Sequence, residues 1–354
     1  MDVVALAARI QAMPDDELDR LVVERQAPPQ LGSTFDLAEH LMTDASIAQA
    51  LKWRSAAELA ALREGGSTLR LDALLLGVDG AALPQVRALA AAAGAAAAGA
   101  AAAGAAAAGT ATPLVPVESA TAPQTAIDEA IKVSELVHRV AGAPIVLRSR
   151  AQLPAAVARD LAAAVDGDPA ELEERLEPAL LAGLIVRRDG RLVATVDADA
   201  WLAAPVPDRW LALGRAWLAA TPDAMAVAGD PRAQFPLADA AVLAVRQRQH
   251  RQATRLGLAD RGTPTMLGAD LRQRPDAARQ ALAAHVPPAT ASVYLQPDLS
   301  AVAPGPLEAA VESRLRRIAR IERAGIASHW RITAASVASG LAAGESADEL
   351  LAFL

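Results

Sequence analysis

Apolar positions recur at helical spacing along most of this chain and alternate in only a few short stretches. Near the start, Leu18, Leu21 and Val22 follow Pro14, Asp15, Asp16 and Glu17, so a helix opens with acids at its positive end. Leu37, Leu41, Ile47 and Leu51 continue the helical pattern, and Gly65, Gly66 and Gly77 break it. This predicts a helical N-terminal domain over residues 1–82. Residues 83–123 are different in kind. ALAAAAGAAAAGAAAAGAAAAG places glycines at 94, 99, 104 and 109, with no charge between Arg87 and Glu118. A membrane span is rejected, because Ala and Gly are weakly apolar and no aromatic belt or cationic flank accompanies them. Each glycine costs about 1 kcal/mol relative to alanine in a helix. A frayed helix or unstructured spacer is expected, extended by the Pro-rich TPLVPVESATAPQ.

Residues 124–290 read as a second globular region. Ile127, Ile131, Leu136 and Val140 mark an amphipathic helix, PIVLRS a short strand, and LPAAVARDLAAAV a second helix. PAELEERLEPALLAGLI is a third helix, with Pro169 near its start and Pro178 as a kink. IVRRDGRLVAT is a hairpin turning at Asp189-Gly190. Helix, strand, helix, helix, hairpin is the order of a winged helix. Trp210, Leu213 and Trp217 then share one helix face and are assigned to core packing rather than base stacking. Residues 237–285 read as helical and basic: VRQRQHRQATRLGLADRGTPTMLGADLRQRPDAAR holds eight arginines against three aspartates.

Residues 291–354 are predicted as β-β-α-β-α-α. SVYLQ and SAVA pair through Gln296-Pro297-Asp298-Leu299. Leu307, Val311, Leu315, Ile318 and Ile321 stripe one helix that Gly325 ends, with Arg316, Arg320 and Arg323 opposite. Arg314 falls inside the stripe and needs an acidic partner or a route to solvent. SHWRI is the third strand, and Ser346 with Glu349 makes a capping box. The fold class is therefore mainly α, α+β overall: a helical N-terminal domain, a winged-helix-like middle and a small mixed C-terminal domain.

Composition narrows function by exclusion. Without cysteine there is no disulfide, thiol catalysis or Cys-ligated zinc. A net charge of −7 gives no global attraction to nucleic acid, so any such contact is local. The N-terminus has no basic segment ahead of an apolar one, which fits a cytoplasmic protein. The only lysines, Lys52 and Lys132, are followed by Trp and Val, so neither completes a phosphate loop. His40, His138, His250, His285 and His329 are scattered, and no metal or cofactor is expected.

YLQPDLSAVAPGPLE and ERAGIASHWRITAASVASGLAAGESADELLAFL resemble the helicase-associated domain near the N-terminus of XPB-type DNA helicases. They are closer still to actinobacterial helicase-associated domain-containing proteins. Gln296, Pro297, Asp298, Arg331, Ile332, Thr333 and Ser346 to Leu350 carry the likeness. AGLIVRRDGRLVAT, ADAWLAAPVPDRWLALGRAWLA, MPDDELDRLVVERQ and SIAQALKW extend it over most of the chain outside the Ala/Gly spacer. The resemblance implies a non-catalytic module of DNA-repair or transcription helicase machinery, contacting a partner subunit near DNA. That group usually continues past this point, so a shortened member is implied.

The expected function is a non-enzymatic accessory protein that binds an XPB-like helicase and DNA backbone without sequence preference. Arg187, Arg188 and Arg191 at the hairpin, with Arg246, Arg248, Arg251 and Arg255, are the candidate nucleic-acid contacts. Arg316, Arg320 and Arg323 are the candidate partner contacts. Glu171, Glu173, Glu174 and Glu177 would repel phosphates, so helix 169–182 is not expected to read bases. A protein-only scaffold and a winged-helix transcriptional regulator are the alternatives.

Overall fold

The computed structural model describes residues 2–66, 71–102, 115–148, 152–221 and 234–354. The chain is mainly helical, with small antiparallel sheets. It divides into two compact units, Met1–Val115 with Ala226–Gln249, and Pro116–Met225 with His250–Leu354.

The first unit holds α1 (Val3–Gln11), α2 (Asp15–Glu24), α3 (Thr34–Leu41), α4 (Asp44–Leu51), α5 (Ala56–Arg63), a hairpin of β1 (Gly77–Val78) and β2 (Ala81–Ala82), and α6 (Pro84–Ala102). Ser33, Thr43 and Ser55 cap α3, α4 and α5 by accepting a backbone N–H three residues on. Leu6, Ile10, Leu21 and Leu41 pack together, and buried Arg25 ties the packing down. Its guanidinium donates to the carbonyls of Leu41 at 2.7 Å and Leu74 at 2.8 Å, and to Ser46 Oγ at 2.9 Å. Burial brings its pKa down to about 10. Val86 and Ala90 of α6 lie fully buried among Leu59, Leu62 and Leu83. The Ala-rich stretch therefore begins as a packed core helix rather than a spacer, because two side chains find a pre-existing apolar surface. Of the rest of the expected spacer, 103–114 lies outside the described residues, while Val117 bridges to Thr265 and a helix already begins at Ala122.

The second unit opens with α7 (Ala122–Gly142), β3 (Ile145–Val146), α8 (Ala155–Ala164), a 3-10 turn at Pro169–Glu171, and α9 (Leu172–Leu181) with Pro178 inside it. β4 (Ile185–Arg188) and β5 (Arg191–Ala194) complete an antiparallel sheet in the order β3-β5-β4. The hairpin turns on Asp189 and Gly190 at φ of 50° and 70°, both left-handed, so its twist matches the strands. α10 (Asp197–Ala203) and α11 (Val206–Ala220) follow. Trp201, Trp210 and Trp217 are buried, and their indole N–H groups donate to Arg209 O, Leu256 O and Gln252 Oε1. They are core residues with satisfied donors.

Beyond α12 (Ala240–Arg255), the segment expected to be wholly helical contains a hairpin of β6 (Ala259–Asp260) and β7 (Thr263–Pro264). Arg261 and Gly262 turn it at φ of 45° and 84°. α13 (Met266–Gln273) and α14 (Pro275–Ala283) come next.

The C-terminal part comprises β8 (Tyr294–Leu295), β9 (Ser300–Ala303), α15 (Ala309–Ile318), β10 (Arg320–Arg323), β11 (Ser328–Arg331), α16 (Ala334–Ala342) and α17 (Ala347–Phe353). The strands lie antiparallel in the order β10-β11-β9-β8. The order is β-β-α-β-β-α-α, one strand more than expected. The helix stops at Ile318, Ala319 turns extended, and Arg320–Arg323 pairs with β11. Ile321 still enters the core beside Leu315, Ile318 and Trp330, which is why it matched the helical stripe. Arg314 finds Glu345 at 3.1 Å and the Glu349 carbonyl at 2.8 Å.

Gly257 closes the approach of α12 to α7. Its φ is +71°, and a Cβ there would stand 2.5 Å from the Ala122 carbonyl oxygen. Gly257→Ala should lower stability by about 2 kcal/mol or more, read as a lower urea midpoint of the full chain. An unchanged midpoint would contradict this packing.

Candidate nucleic-acid and partner interfaces

The hairpin β4–β5 presents the sequence-predicted arginines at its tip. Ile185 and Leu192 point into the core and anchor the strands. Arg188 sits directly across from Arg191, and Arg187 across from Leu192. All three arginines are exposed. Among the described residues the side chains of Arg187 and Arg191 make no hydrogen bond or ion pair, and that of Arg188 has only exposed Asp189 at 3.6 Å. Like charges opposed on a hairpin repel, and a surface pair that loose offsets little. The tip therefore gathers three arginines around one loosely held, exposed carboxylate, Asp189.

The basic segment of α12 behaves otherwise. Arg246 is only 6% exposed. Its guanidinium lies 4.5 Å from the Phe235 ring and 5.4 Å from the Trp53 ring, and donates to the Trp53 carbonyl at 2.9 Å. That cation is used in packing the first unit, so Arg246 does not belong to a nucleic-acid surface. Arg248 is exposed on the same helix.

Arg251 and Arg255, in the second unit, face the acidic helix. Arg251 meets Glu174 at 2.8 Å, and Arg255 meets Glu174 at 3.0 Å and Glu171 at 2.6 Å. Glu177 accepts from Gln252 Nε2 at 2.5 Å, and Glu173 from the Leu153 backbone N–H at 3.2 Å. Hydrogen bonding to Glu174 raises the Arg251 pKa despite partial burial. Glu171, Glu174 and Glu177 are thus partners for α12, and two expected phosphate contacts are already engaged by them. Arg175 is likewise tied to buried Glu129 at 3.0 Å.

Among the expected partner contacts, Arg316 is internal. It bridges Glu135 of α7 at 2.7 Å and Glu312 at 2.7 Å, and lies over Trp330 at 5.1 Å. Burial alone would depress its pKa, but the two carboxylates outweigh that and raise it. Arg320 and Arg323 are exposed on β10, a sheet edge, and not on a helix. On the other edge, β8 exposes Tyr294 and Leu295, and Leu299 is exposed in the adjoining turn.

The Gln296-Pro297-Asp298 signature has a structural task. Asp298 Oδ1 accepts from the Ser300 hydroxyl at 2.6 Å and its N–H at 3.0 Å. Gln296 Oε1 accepts from the same hydroxyl at 2.8 Å. Arg331 donates to the Asp298 carbonyl at 2.8 Å and to Glu322 at 2.9 Å, joining β8–β9 turn, β11 and β10. Ile332 is buried, while Thr333 and Ser346 cap α16 and α17. The signature residues thus fix the fold of this part and leave the sheet edges as its exposed surface. No group of three or more metal-ligating side chains occurs among the described residues, nor a helix long and apolar enough to cross a membrane.

The Ser300 hydrogen bonds, with Arg331, hold the Asp298 carboxyl below its ordinary range. A carboxyl with a lowered folded pKa stabilises fully above its unfolded value, and that contribution disappears as pH falls through the folded value. Between about pH 4 and pH 2, the parent chain should lose more stability than Asp298→Asn, followed by circular dichroism on acid titration. Equal losses would show that the Asp298 carboxylate does not hold the turn.

No curated protein matches this chain. Residues 293–354, the segment built around the Asp298–Arg331 clamp, match the family described as helicase conserved C-terminal domain. The match agrees with a helicase-associated domain in this segment and describes it as C-terminal rather than N-terminal.

Proposed function

We propose that this protein is a non-enzymatic, helicase-associated accessory factor that touches DNA backbone without sequence preference and docks on an XPB-like helicase. The observation that carries the reading is one compact unit joining two features. One is a helicase-type segment at 293–354. The other is a helix–strand–helix–helix–hairpin arrangement, read as a winged helix, with Arg187, Arg188 and Arg191 at the hairpin tip. Pairing of Glu171 and Glu174 with α12 supports the view that α9 is not a recognition helix, since a helix that reads bases must offer its side chains to the groove. Arg248 is kept as a secondary phosphate contact, and Arg320 and Arg323 as partner contacts. The likeness to XPB-type and actinobacterial helicase-associated proteins, and a place in repair or transcription, rest on the sequence signature.

Exposed Tyr294, Leu295 and Leu299 favour a second reading, a protein-only scaffold. Fluorescence anisotropy with a random-sequence duplex separates the two. The full chain should bind at low salt and release steeply as salt rises. Arg187→Glu/Arg188→Glu/Arg191→Glu should abolish this, and single Arg→Gln changes should each reduce the salt slope by about one. Absence of binding at low salt leaves the scaffold. A strong preference for one sequence overturns the assignment of α9. ATP turnover by the purified chain removes the accessory reading.

A further inference from the structure

Buried arginines in this protein are generally held by named acceptors. Arg25 has two carbonyls and a hydroxyl, Arg246 has a carbonyl and two rings, and Arg54 has Glu58 at 3.0 Å. Arg209 breaks the pattern. It is 9% exposed, yet its side chain makes no hydrogen bond or ion pair among the described residues. Glu312 attracts it from a distance, but the Glu312 carboxylate is held by Arg316 at 2.7 Å. Asp208, beside it in the chain, faces Arg279 at 3.6 Å. An isolated buried charge is costly unless something compensates it.

Arg209 lines a cavity of about 330 Å³ whose other walls include Leu202, Pro205, Val206, Val286, Pro287 and Leu307. That is the size of a small-molecule pocket, with largely apolar walls, one buried guanidinium and two carboxylates on the α15 side. The cavity also reaches the first turn of α11, which starts without a side-chain cap. Pro207 has no N–H in that turn and the Asp208 N–H bonds the Pro205 carbonyl, so the turn adds little to the charge of Arg209. His138, near the same cluster, is pushed down to about 3 by burial, Arg316 and Arg209, so it adds no second cation. Glu308 and Glu312 line the cavity as well.

From this geometry we propose that the cavity between α10, α11, α14 and α15 binds a small monocarboxylate with a short apolar body, its carboxylate paired with Arg209. A guanidinium presents a planar fork that fits one carboxylate. One free cation beside two glutamates disfavours a dianionic phosphate. The apolar walls take the body of the ligand. This site is independent of the accessory reading and stands or falls without it.

Isothermal titration calorimetry on the full chain tests it, with hexanoate as probe and hexanamide and inorganic phosphate as comparisons. Hexanoate should bind saturably, and hexanamide about tenfold or more weakly, because the charge-assisted pair is lost. Arg209→Met should lose hexanoate binding while melting at or above the parent temperature, since an uncompensated buried charge is removed. Equal binding of hexanamide, equal or tighter binding of phosphate, or no saturation with millimolar hexanoate overturns the proposal. So does undiminished hexanoate binding by a folded Arg209→Met. Should that variant fail to fold, the hexanoate-to-hexanamide ratio on the parent chain decides.

Discussion

One buried carboxylate fixes the C-terminal sheet and helices against the rest of the second unit. Glu135 of α7, with its side chain 2% exposed, receives Arg139 at 2.8 Å and Arg316 at 2.7 Å. Arg316 in turn holds Glu312 and covers Trp330. Taking these charges out of water is expensive, and their attraction roughly repays it only in this geometry. Such a network contributes less to total stability than to uniqueness. A shifted α15 would leave Glu135 buried beside a single arginine, with Arg316 removed from its partner. A shift would also take Leu315 and Ile318 out of the core and off Gly340, and the ion pair adds a directional requirement to that apolar one.

The same logic of internal neutralisation acts on α9. Its glutamates meet α12 through Arg251, Gln252 and Arg255, so an acidic helix and a basic helix cancel where they touch. Most of the chain's local basic excess is therefore unavailable to a phosphate backbone. Among the described residues, Arg187 and Arg191 on the hairpin and Arg320 and Arg323 on β10 are exposed arginines that no carboxylate pairs. Arg191 and Arg320 are exposed because each adjoins a core residue, Leu192 and Ile321, and so lies on the other face of its sheet.

How much of this was legible in the sequence depended on which signal decided each element. The hairpin at Asp189-Gly190 was legible because two consecutive residues tolerant of positive φ have few other uses between apolar strands. The hairpin at Arg261-Gly262 carries a weaker form of that signal, and its strands of two residues each have no room for alternation. β10 was hidden because Leu315, Ile318 and Ile321 satisfy helical spacing, while Ile321 alone satisfies the strand. Pairing with β11, a nonlocal fact, settles it. The role of α6 was hidden because composition does not tell whether an alanine finds a neighbour. Charge was the least legible of all. Arg187, Arg246 and Arg316 are the same letter, and only the fold separates an exposed cation from a ring-stacked one and a buried bridge.

The distribution of charge also constrains how such a protein could act. With a net charge of −7, long-range attraction to DNA is absent, and a few hairpin arginines release few counterions. Under the proposed reading, DNA affinity from the hairpin alone is modest and salt-sensitive. A second contact made by the same unit changes this. Once the C-terminal part is docked on a helicase already seated on DNA, the hairpin meets the backbone at an effective concentration set by the complex rather than by solution. Weak, non-specific contact then becomes useful, because it adds occupancy without competing for a sequence. The two halves of the proposal therefore support one another physically: a partner makes the small cationic tip sufficient, and the tip accounts for why an otherwise acidic chain leaves three arginines together in solvent.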